Sequence, residues 1–206
     1  MILYDNNHNT FSNIILDEIP KVKNSISGIC NIIYDKSSHY ITKLGNHTYV
    51  ERQFPKMSYI EQYNSFFRYP TYIMNGIYLG SSFNASNYNI LKELNIGLVI
   101  NITTEISCYF PQHFDYIKYH IEDNNIDSIK DILGYTLNDI KTFKRKSNKN
   151  ILIHCFMGAS RSAAAVIHYI CKIENMQIDD AIHIVKDKRP IINLSKQYIK
   201  DLYEIN

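Results

Sequence analysis

The sequence predicts an α/β domain in which helices flank a central, largely parallel sheet, with an N-terminal extension before it. From about Pro70 onward, short apolar segments typical of strands alternate with segments that have the apolar spacing of helices. Before that point the sequence is irregular and rich in tyrosine. We therefore divide the chain into an extension, residues 1–68, and a domain, residues 69–206.

The predicted strands of the domain are a hairpin and three apolar runs. Tyr72–Leu79 is the hairpin, because the dipeptide Asn75-Gly76 supplies the two positive φ angles of a type I′ turn. The remaining strands are short and bounded by polar residues: Gly97–Ile102, Tyr116–Ile121 and Asn150–His154. The last is buried, because its centre is continuously apolar.

The helices are predicted from apolar residues that recur at helical spacing: Asn84–Leu94, Ser128–Lys144, Ser162–Ile173, Asp179–Asp187 and Ser195–Ile205. In the second of them, Asp127 or Ser128 is the expected N-cap. Its apolar residues are expected to face the core: Ile132, Leu133, Leu137, Ile140 and Phe143. The third helix is apolar almost all round, which predicts that it is buried.

The extension carries too many large apolar residues for a solvated tail, so we expect it to be ordered. Ile32–Tyr34 and Thr48–Val50 are candidate strands, and Ser58–Phe67 is a candidate helix that begins with a capping-box pattern. The extension is too short and irregular for an independent domain, so it should pack on the domain or on a partner subunit. Its role is structural cover of the sheet or, through the Ser58–Phe67 helix, substrate docking or homodimer formation.

Composition excludes several classes of protein. Hydrophobic residues make up 45% of the chain, which predicts a packed core, and a net charge of +2 without a long basic run argues against nucleic-acid binding. The N-terminus lacks the basic and apolar regions of a secretory signal, so none is expected. No apolar run approaches the ~18 residues of a membrane span, so no membrane association is expected.

The cysteines are widely separated along the chain: Cys30, Cys108, Cys155 and Cys171. None belongs to a Cys-x-x-Cys pair, which argues against a zinc site and against a dithiol redox motif. Free thiols indicate a reducing compartment, either the cytosol or the nucleus.

The segment 154–162, His-Cys-Phe-Met-Gly-Ala-Ser-Arg-Ser, carries the strongest chemical signal, because an apolar strand ends there and a helix begins. A turn in this context aims backbone N–H groups into one concavity, to which the helix dipole adds positive charge. Such a concavity suits a tetrahedral dianion. The expected phosphate-binding residues are those of the turn and the arginine after it: Phe156, Met157, Gly158, Ala159, Ser160 and Arg161.

Each remaining residue type of this segment suits covalent phosphoryl transfer. Arg161 can hold two phosphate oxygens with its planar guanidinium. A thiol at a helix N-terminus beside a guanidinium has its pKa lowered to ~3.5–7.5, so Cys155 is expected to be a thiolate and a nucleophile. His154 would orient the turn by hydrogen bonding, and Ser162 would stabilise the thiolate when it leaves. The alternative is a buried structural cysteine followed by a helix cap.

Departure of the alcohol or phenol also needs a proton donor near the phosphate. Asp123 follows the predicted strand that ends at Ile121. If that strand neighbours the one ending at His154 in a parallel sheet, both carboxyl ends lie on the same side, and Asp123 can reach the phosphate. Alternatively, Asp123 is only a turn residue. We interpret Asp127 as a helix cap and expect Glu122 to point away.

From about Tyr69 to Asn206 the chain resembles the dual-specificity phosphatases of the protein tyrosine phosphatase superfamily. The similar stretches, besides the signature loop at 154–162, are the opening strand, the next helix and strand, the general-acid loop and a late turn: Ile77–Ser81, Leu91–Thr103, Ile121–Asn124 and Arg189–Asn193.

The resemblance implies a phosphoprotein substrate and hydrolysis in two steps, without a metal ion or cofactor. Cys155 would attack phosphorus while Asp123 protonates the leaving oxygen, so that a phosphocysteine forms. Water would then attack with Asp123 as the base, while backbone amides and Arg161 hold the transition-state charge. Because the domain is short, both phosphotyrosine and phosphoserine or phosphothreonine are expected to enter.

Three alternatives remain open from the sequence. A phosphoinositide or RNA 5′-phosphatase usually has basic residues in the signature loop, whereas Phe156, Met157 and Ala159 are apolar and favour a phosphoprotein. A non-catalytic phosphate-binding module is disfavoured because cysteine, arginine and aspartate are all present. A phosphatase specific for tyrosine is disfavoured by the length of the domain and by the lack of a segment that deepens the pocket.

Overall fold

A computed structural model describes residues 69–124 and 126–206 and, before them, four short strands between residues 30 and 53. These strands form an antiparallel sheet in which the second pairs with each of the others: β1 (Cys30–Tyr34), β2 (His39–Leu44), β3 (His47–Thr48) and β4 (Arg52–Gln53). The candidate strand Ile32–Tyr34 lies within β1, which confirms it. Thr48 ends β3, whereas Tyr49, Val50 and the candidate helix Ser58–Phe67 lie outside the described residues.

The central sheet has five strands: β5 (Thr71–Met74), β6 (Ile77–Gly80), β7 (Ile96–Ile102), β8 (Asp115–Tyr119) and β9 (Asn150–His154). Their order is β5-β6-β9-β7-β8, and every pair except β5 with β6 is parallel. This confirms the predicted α/β class with a largely parallel sheet. The strand predicted over Tyr116–Ile121 ends two residues earlier, at Tyr119.

Helices cover both faces of this sheet: α1 (Ser82–Ala85), α2 (Tyr88–Glu93), α3 (Lys130–Lys146), α4 (Arg161–Glu174), α5 (Ile178–Lys188) and α6 (Lys196–Ile205). The domain has two hydrophobic cores, one on each face of the sheet, and successive residues of the buried strands belong to them alternately. In β9, Ile151 and Ile153 belong to the large core with α3, α4, α5 and α6, whereas Leu152 belongs to the smaller core with Leu91 of α2. All residues of α4 from Arg161 to Cys171 are buried, as its composition predicts.

Two predictions about helix boundaries were wrong. The helix predicted over Asn84–Leu94 is interrupted after α1, because the Asn87 side chain accepts a hydrogen bond from the Ile90 amide and starts α2. Neither Asp127 nor Ser128 is the N-cap of α3, which is Ile129. The nearby carboxylate of Asp201, on α6, accepts hydrogen bonds from the Ile129 amide and the Ser128 hydroxyl instead.

The hairpin turn has the predicted conformation, with φ angles of 48° at Asn75 and 71° at Gly76. A Cβ atom on Gly76 would lie 2.5 Å from Asn150 Oδ1 and 2.5 Å from Lys144 Nζ. Two further asparagines adopt left-handed conformations at the ends of helices, Asn95 after α2 and Asn175 after α4, each with φ of 50°.

Two glycine substitutions should change stability in opposite directions. Gly134 lies inside α3, and nothing lies within 4 Å of a Cβ atom built on it, so Gly134→Ala should stabilise the fold by about 0.5–1 kcal/mol. Gly76→Ala should destabilise it by roughly 1–2 kcal/mol, because alanine is strained at positive φ. Urea unfolding followed by circular dichroism measures both. A Gly76→Ala variant as stable as the parent would contradict the described turn.

Candidate active site

The loop that joins β9 to α4 turns its carbonyl groups outward. Four consecutive carbonyls accept hydrogen bonds from donors elsewhere in the chain: Phe156 from Ser82 N at 2.9 Å, Met157 from Arg189 Nη2 at 3.1 Å, Gly158 from Arg189 Nε at 2.8 Å and Ala159 from Asn193 N at 2.8 Å. A carbonyl and the next N–H of a trans peptide point in opposite directions. The N–H groups of residues 157–160 therefore face inward, forming a row of donors that suits an anion.

Two residues fix the path of this loop. Arg189 is fully buried and bridges the loop to β5, because its Nη1 also donates to Thr71 Oγ1 at 3.1 Å. Burial lowers the pKa of Arg189 to about 10, against the opposing effect of the Cys155 charge. Gly158 has φ of 70°, and a Cβ atom there would collide with the carbonyl oxygen of Gly80. Only glycine fits this position.

The Cys155 thiol lies at the base of the loop and is 1% exposed. Its sulfur accepts hydrogen bonds from the Gly158 amide at 3.3 Å and from the Ser162 hydroxyl at 3.2 Å. Burial acts to raise the pKa of Cys155, and the charge of Asp123 adds to that effect. The charge of Arg161 and the bonds from Ser162 outweigh both, so the pKa of Cys155 is lowered and the thiolate is favoured.

The Arg161 guanidinium is buried and paired with Glu105, which the sequence analysis did not single out. Its Nη1 and Nη2 donate to Glu105 Oε2 and Oε1 at 2.9 and 2.7 Å, and Nη1 also donates to the Ile121 carbonyl at 3.1 Å. Burial acts to lower the pKa of Arg161, but Glu105 and Asp123 raise it above its ordinary value. Within the described ranges, Arg161 Nε and Ser160 Oγ are buried without a partner, which leaves two donors for an anion.

Asp123 lies beside Arg161, with 3.8 Å between Asp123 Oδ2 and Arg161 Nη2. The expected adjacency of its strand to β9 was wrong, because β7 separates β8 from β9. The chain after β8 instead passes the carboxyl end of β7, where Ile121 meets Arg161. Glu122 is exposed, as expected, and the Asp127 carboxylate accepts a bond from Asn124 Nδ2 at 2.8 Å in the same loop.

His154 is fully buried at the end of β9, with its Nδ1 3.2 Å from the Cys155 carbonyl oxygen. Burial lowers the pKa of His154 to about 4, so the imidazole is neutral at physiological pH and Nδ1 can carry the proton that bonds this carbonyl. A fifth carbonyl of the loop, that of Cys155, is thus in hydrogen-bond contact with a side chain.

Glu105 could have been found from the sequence by the reasoning used for Asp123. Both are carboxylates just beyond the end of an apolar strand, and carboxyl ends of parallel strands meet at one edge of the sheet. The Glu105 turn is fixed by the Thr103 hydroxyl, which accepts a bond from the Ile106 amide at 3.1 Å. Arg189 gave no comparable signal, because its partners are two backbone carbonyls and a hydroxyl far away in the sequence, that of Thr71.

Neither a metal cluster nor a membrane span is found in the part of the chain that the structure describes. No three His, Cys, Asp or Glu side chains of residues 69–124 and 126–206 converge as metal ligands would. In the same residues, every helix is too short or too polar to cross a bilayer.

The sequence of residues 77–206 matches the protein-family model described as the dual specificity phosphatase catalytic domain. Protein phosphatase Slingshot of Drosophila melanogaster is 34% identical over 133 residues, which cover 65% of this chain but 13% of that protein. Dual specificity protein phosphatase 1 of Arabidopsis thaliana is 30% identical over 136 residues, covering 66% of this chain and 68% of that protein. The chain thus spans less than a fifth of the Drosophila relative and about two thirds of the plant one.

A solved human structure shares the architecture. The tyrosine phosphatase-like serine/threonine/tyrosine-interacting protein superimposes with a TM-score of 0.64 and 29% sequence identity. The match covers 66% of this chain and 95% of that one. The fold of the matched region is therefore one found in a solved structure.

Removing the charge of Glu105 should destabilise the fold. In Glu105→Gln, the buried Arg161 guanidinium keeps a neutral acceptor but loses its carboxylate, which should lower the free energy of unfolding by roughly 1–3 kcal/mol. Glu122→Gln is the matched control: its side chain is exposed in the loop that carries Asp123, so a change within about 0.5 kcal/mol is expected. Urea midpoints at neutral pH compare them, and equal midpoints would contradict a structural ion pair.

Proposed function

The chain belongs to the dual-specificity phosphatases, and we propose that it hydrolyses phosphotyrosine, phosphoserine and phosphothreonine in proteins through a phosphocysteine intermediate. The observation that carries this proposal is the Cys155 sulfur, which lies among inward N–H groups, the Ser162 hydroxyl and the Arg161 guanidinium. A thiolate, an anion site and a cation are the minimum that covalent phosphoryl transfer requires.

In the first step, the phosphate binds to the N–H groups of the loop and to Arg161, whose Nε–H and second Nη2–H are not used by Glu105 or Ile121. The Cys155 thiolate attacks phosphorus and the bond to the leaving oxygen breaks, while Asp123 gives that oxygen a proton. The proximity of Asp123 Oδ2 to Arg161 supports this assignment, because it brings a carboxyl group close to the guanidinium that would hold the phosphate.

In the second step, water attacks the phosphocysteine and Asp123 takes up its proton. Inorganic phosphate forms and the sulfur leaves as a thiolate. The Ser162 hydroxyl, 3.2 Å from the sulfur, supports the stabilising role proposed for it, because it can donate to the developing negative charge.

Phosphoprotein substrates are favoured over phosphoinositides and RNA by the composition of the loop. Phe156 is buried and packs against Phe83, with ring centroids 6.2 Å apart, so this position of the loop offers no basic group to a more highly charged substrate. The names of the relatives, which are protein phosphatases, support the same substrate class.

We also propose a reducing compartment, the cytosol or the nucleus, because a catalytic thiolate is lost on oxidation. Formation of a homodimer through the N-terminal extension remains a proposal from the sequence. The absence of nucleic-acid and membrane partners remains an expectation from composition.

Cys155→Ser should abolish turnover of phosphotyrosine and phosphothreonine peptides while phosphate still binds, since amides and Arg161 hold the anion. Released phosphate and isothermal titration with inorganic phosphate measure the two properties. Cys108→Ser, which changes a thiol outside the loop, should keep full activity, and EDTA should have no effect on either protein. Turnover by Cys155→Ser, or a parent that binds phosphate without turnover, would contradict the enzyme proposed here.

Asp123→Asn should slow substrates with poor leaving groups far more than activated ones. A general acid contributes about 10²–10⁴-fold, whereas nitrophenolate needs little protonation to leave. The measurement is kcat/KM for a phosphotyrosine peptide and for p-nitrophenyl phosphate, with Glu122→Gln as the control from the same loop. Equal losses on the two substrates would assign the acid to another residue.

A further inference from the structure

The loop that carries Asp123 is tied to α6, a helix that lies outside the signature loop. Tyr198 is fully buried, and its hydroxyl donates to the Glu122 carbonyl at 3.1 Å. That carbonyl belongs to the peptide that joins Glu122 to Asp123, so this bond acts directly on the backbone that carries the proposed acid.

A second buried residue of α6 holds the far end of the same loop. Asp201 is fully buried, and its Oδ2 accepts from the Ile129 amide at 2.7 Å and from the Ser128 hydroxyl at 3.0 Å. Its Oδ1 accepts from Gln197 Nε2 at 2.8 Å, one turn earlier on α6. The carboxylate is therefore bonded on both oxygens, and it fixes where the loop enters α3.

Between these anchors the loop is braced by its own side chains. Asn124 Oδ1 accepts from the amides of Ile126 and Asp127 at 3.0 and 2.8 Å. On the other side of Asp123, the Ile121 carbonyl accepts from Arg161. The two consecutive carbonyls before Asp123 are thus held by donors from α4 and from α6.

We infer that Tyr198 is a positioning residue for the reaction and that Asp201 assists it by holding the far end of the same loop. Through these two residues, α6 sets the distance between Asp123 and the phosphate. The inference rests on the proposed role of Asp123 as general acid. An acid works only when its oxygen is held within hydrogen-bond reach of the leaving oxygen. Packing does not explain the hydroxyl, because phenylalanine would fill the same buried volume.

The test is Tyr198→Phe, which removes the hydroxyl and keeps the ring. We expect kcat/KM for a phosphotyrosine peptide to fall about 3–10-fold, the equivalent of one hydrogen bond, with p-nitrophenyl phosphate nearly unchanged. Tyr203→Phe is the matched control: it removes a hydroxyl from the same helix, but one that donates to Asp179 at 2.6 Å. That variant should retain the parent's values on both substrates.

A double variant separates positioning from general support of the fold. If Tyr198 acts through Asp123, Tyr198→Phe should cost nothing further in an Asp123→Asn background. An equal cost in both backgrounds, or equal losses on both substrates, would overturn the inference. If Tyr198→Phe melts below the assay temperature, Asp201→Asn, which keeps the shape of the side chain, is compared in the same way.

The two proposals fail differently. If Asp123→Asn shows no dependence on the leaving group, the acid assignment fails and the inference about α6 fails with it. If Asp123→Asn shows that dependence and Tyr198→Phe does not, only the inference about α6 is overturned.

Discussion

One buried positive charge, the Arg161 guanidinium, constrains the whole site. An unpaired ion in the interior costs several kcal/mol, so partners must come to it from wherever the chain can supply them. Glu105 arrives from the loop after β7 and Ile121 from the segment after β8, while Cys155 lies on the loop after β9. The segments that follow three parallel strands therefore converge on one side chain. They can do so because the carboxyl ends of parallel strands lie at the same edge of the sheet.

The orientation of the backbone N–H groups in the loop after β9 is fixed by hydrogen bonds on the outer side of the loop. The amide donors face inward because the carbonyls of the same loop are occupied outside it, two of them by the buried Arg189. Peptide dipoles fixed in this way need little reorganisation to stabilise a negative charge, which is usually the largest contribution that a protein makes to stabilising developing charge. In the loop that carries Asp123, two carbonyls are likewise held by donors from outside the loop, that of Ile121 by Arg161 and that of Glu122 by Tyr198.

Features formed by residues adjacent in the sequence could be predicted, whereas hydrogen bonds between residues distant in the sequence could not. The loop after β9 is contiguous, so its cysteine, glycine and arginine follow from residue types and from the strand before them. The hairpin turn is equally local. The α3 boundary was misassigned because the carboxylate that accepts from the Ile129 amide lies 72 residues away in the chain, at Asp201. The contacts of Arg189 and Tyr198 are long-range, and no local sequence pattern predicts them.

Left-handed turns in the described chain are occupied by asparagine at Asn75, Asn95 and Asn175, where glycine is the usual residue. Glycine codons begin with two guanines and asparagine codons with two adenines, so a genome poor in guanine can encode these turns with only 7 glycines in the chain. At these three turns, the backbone conformation permits asparagine in place of glycine. Gly158 does not permit it, because any Cβ would strike Gly80. The loop after β9 therefore contains a glycine that asparagine cannot replace, whatever the base composition of the gene.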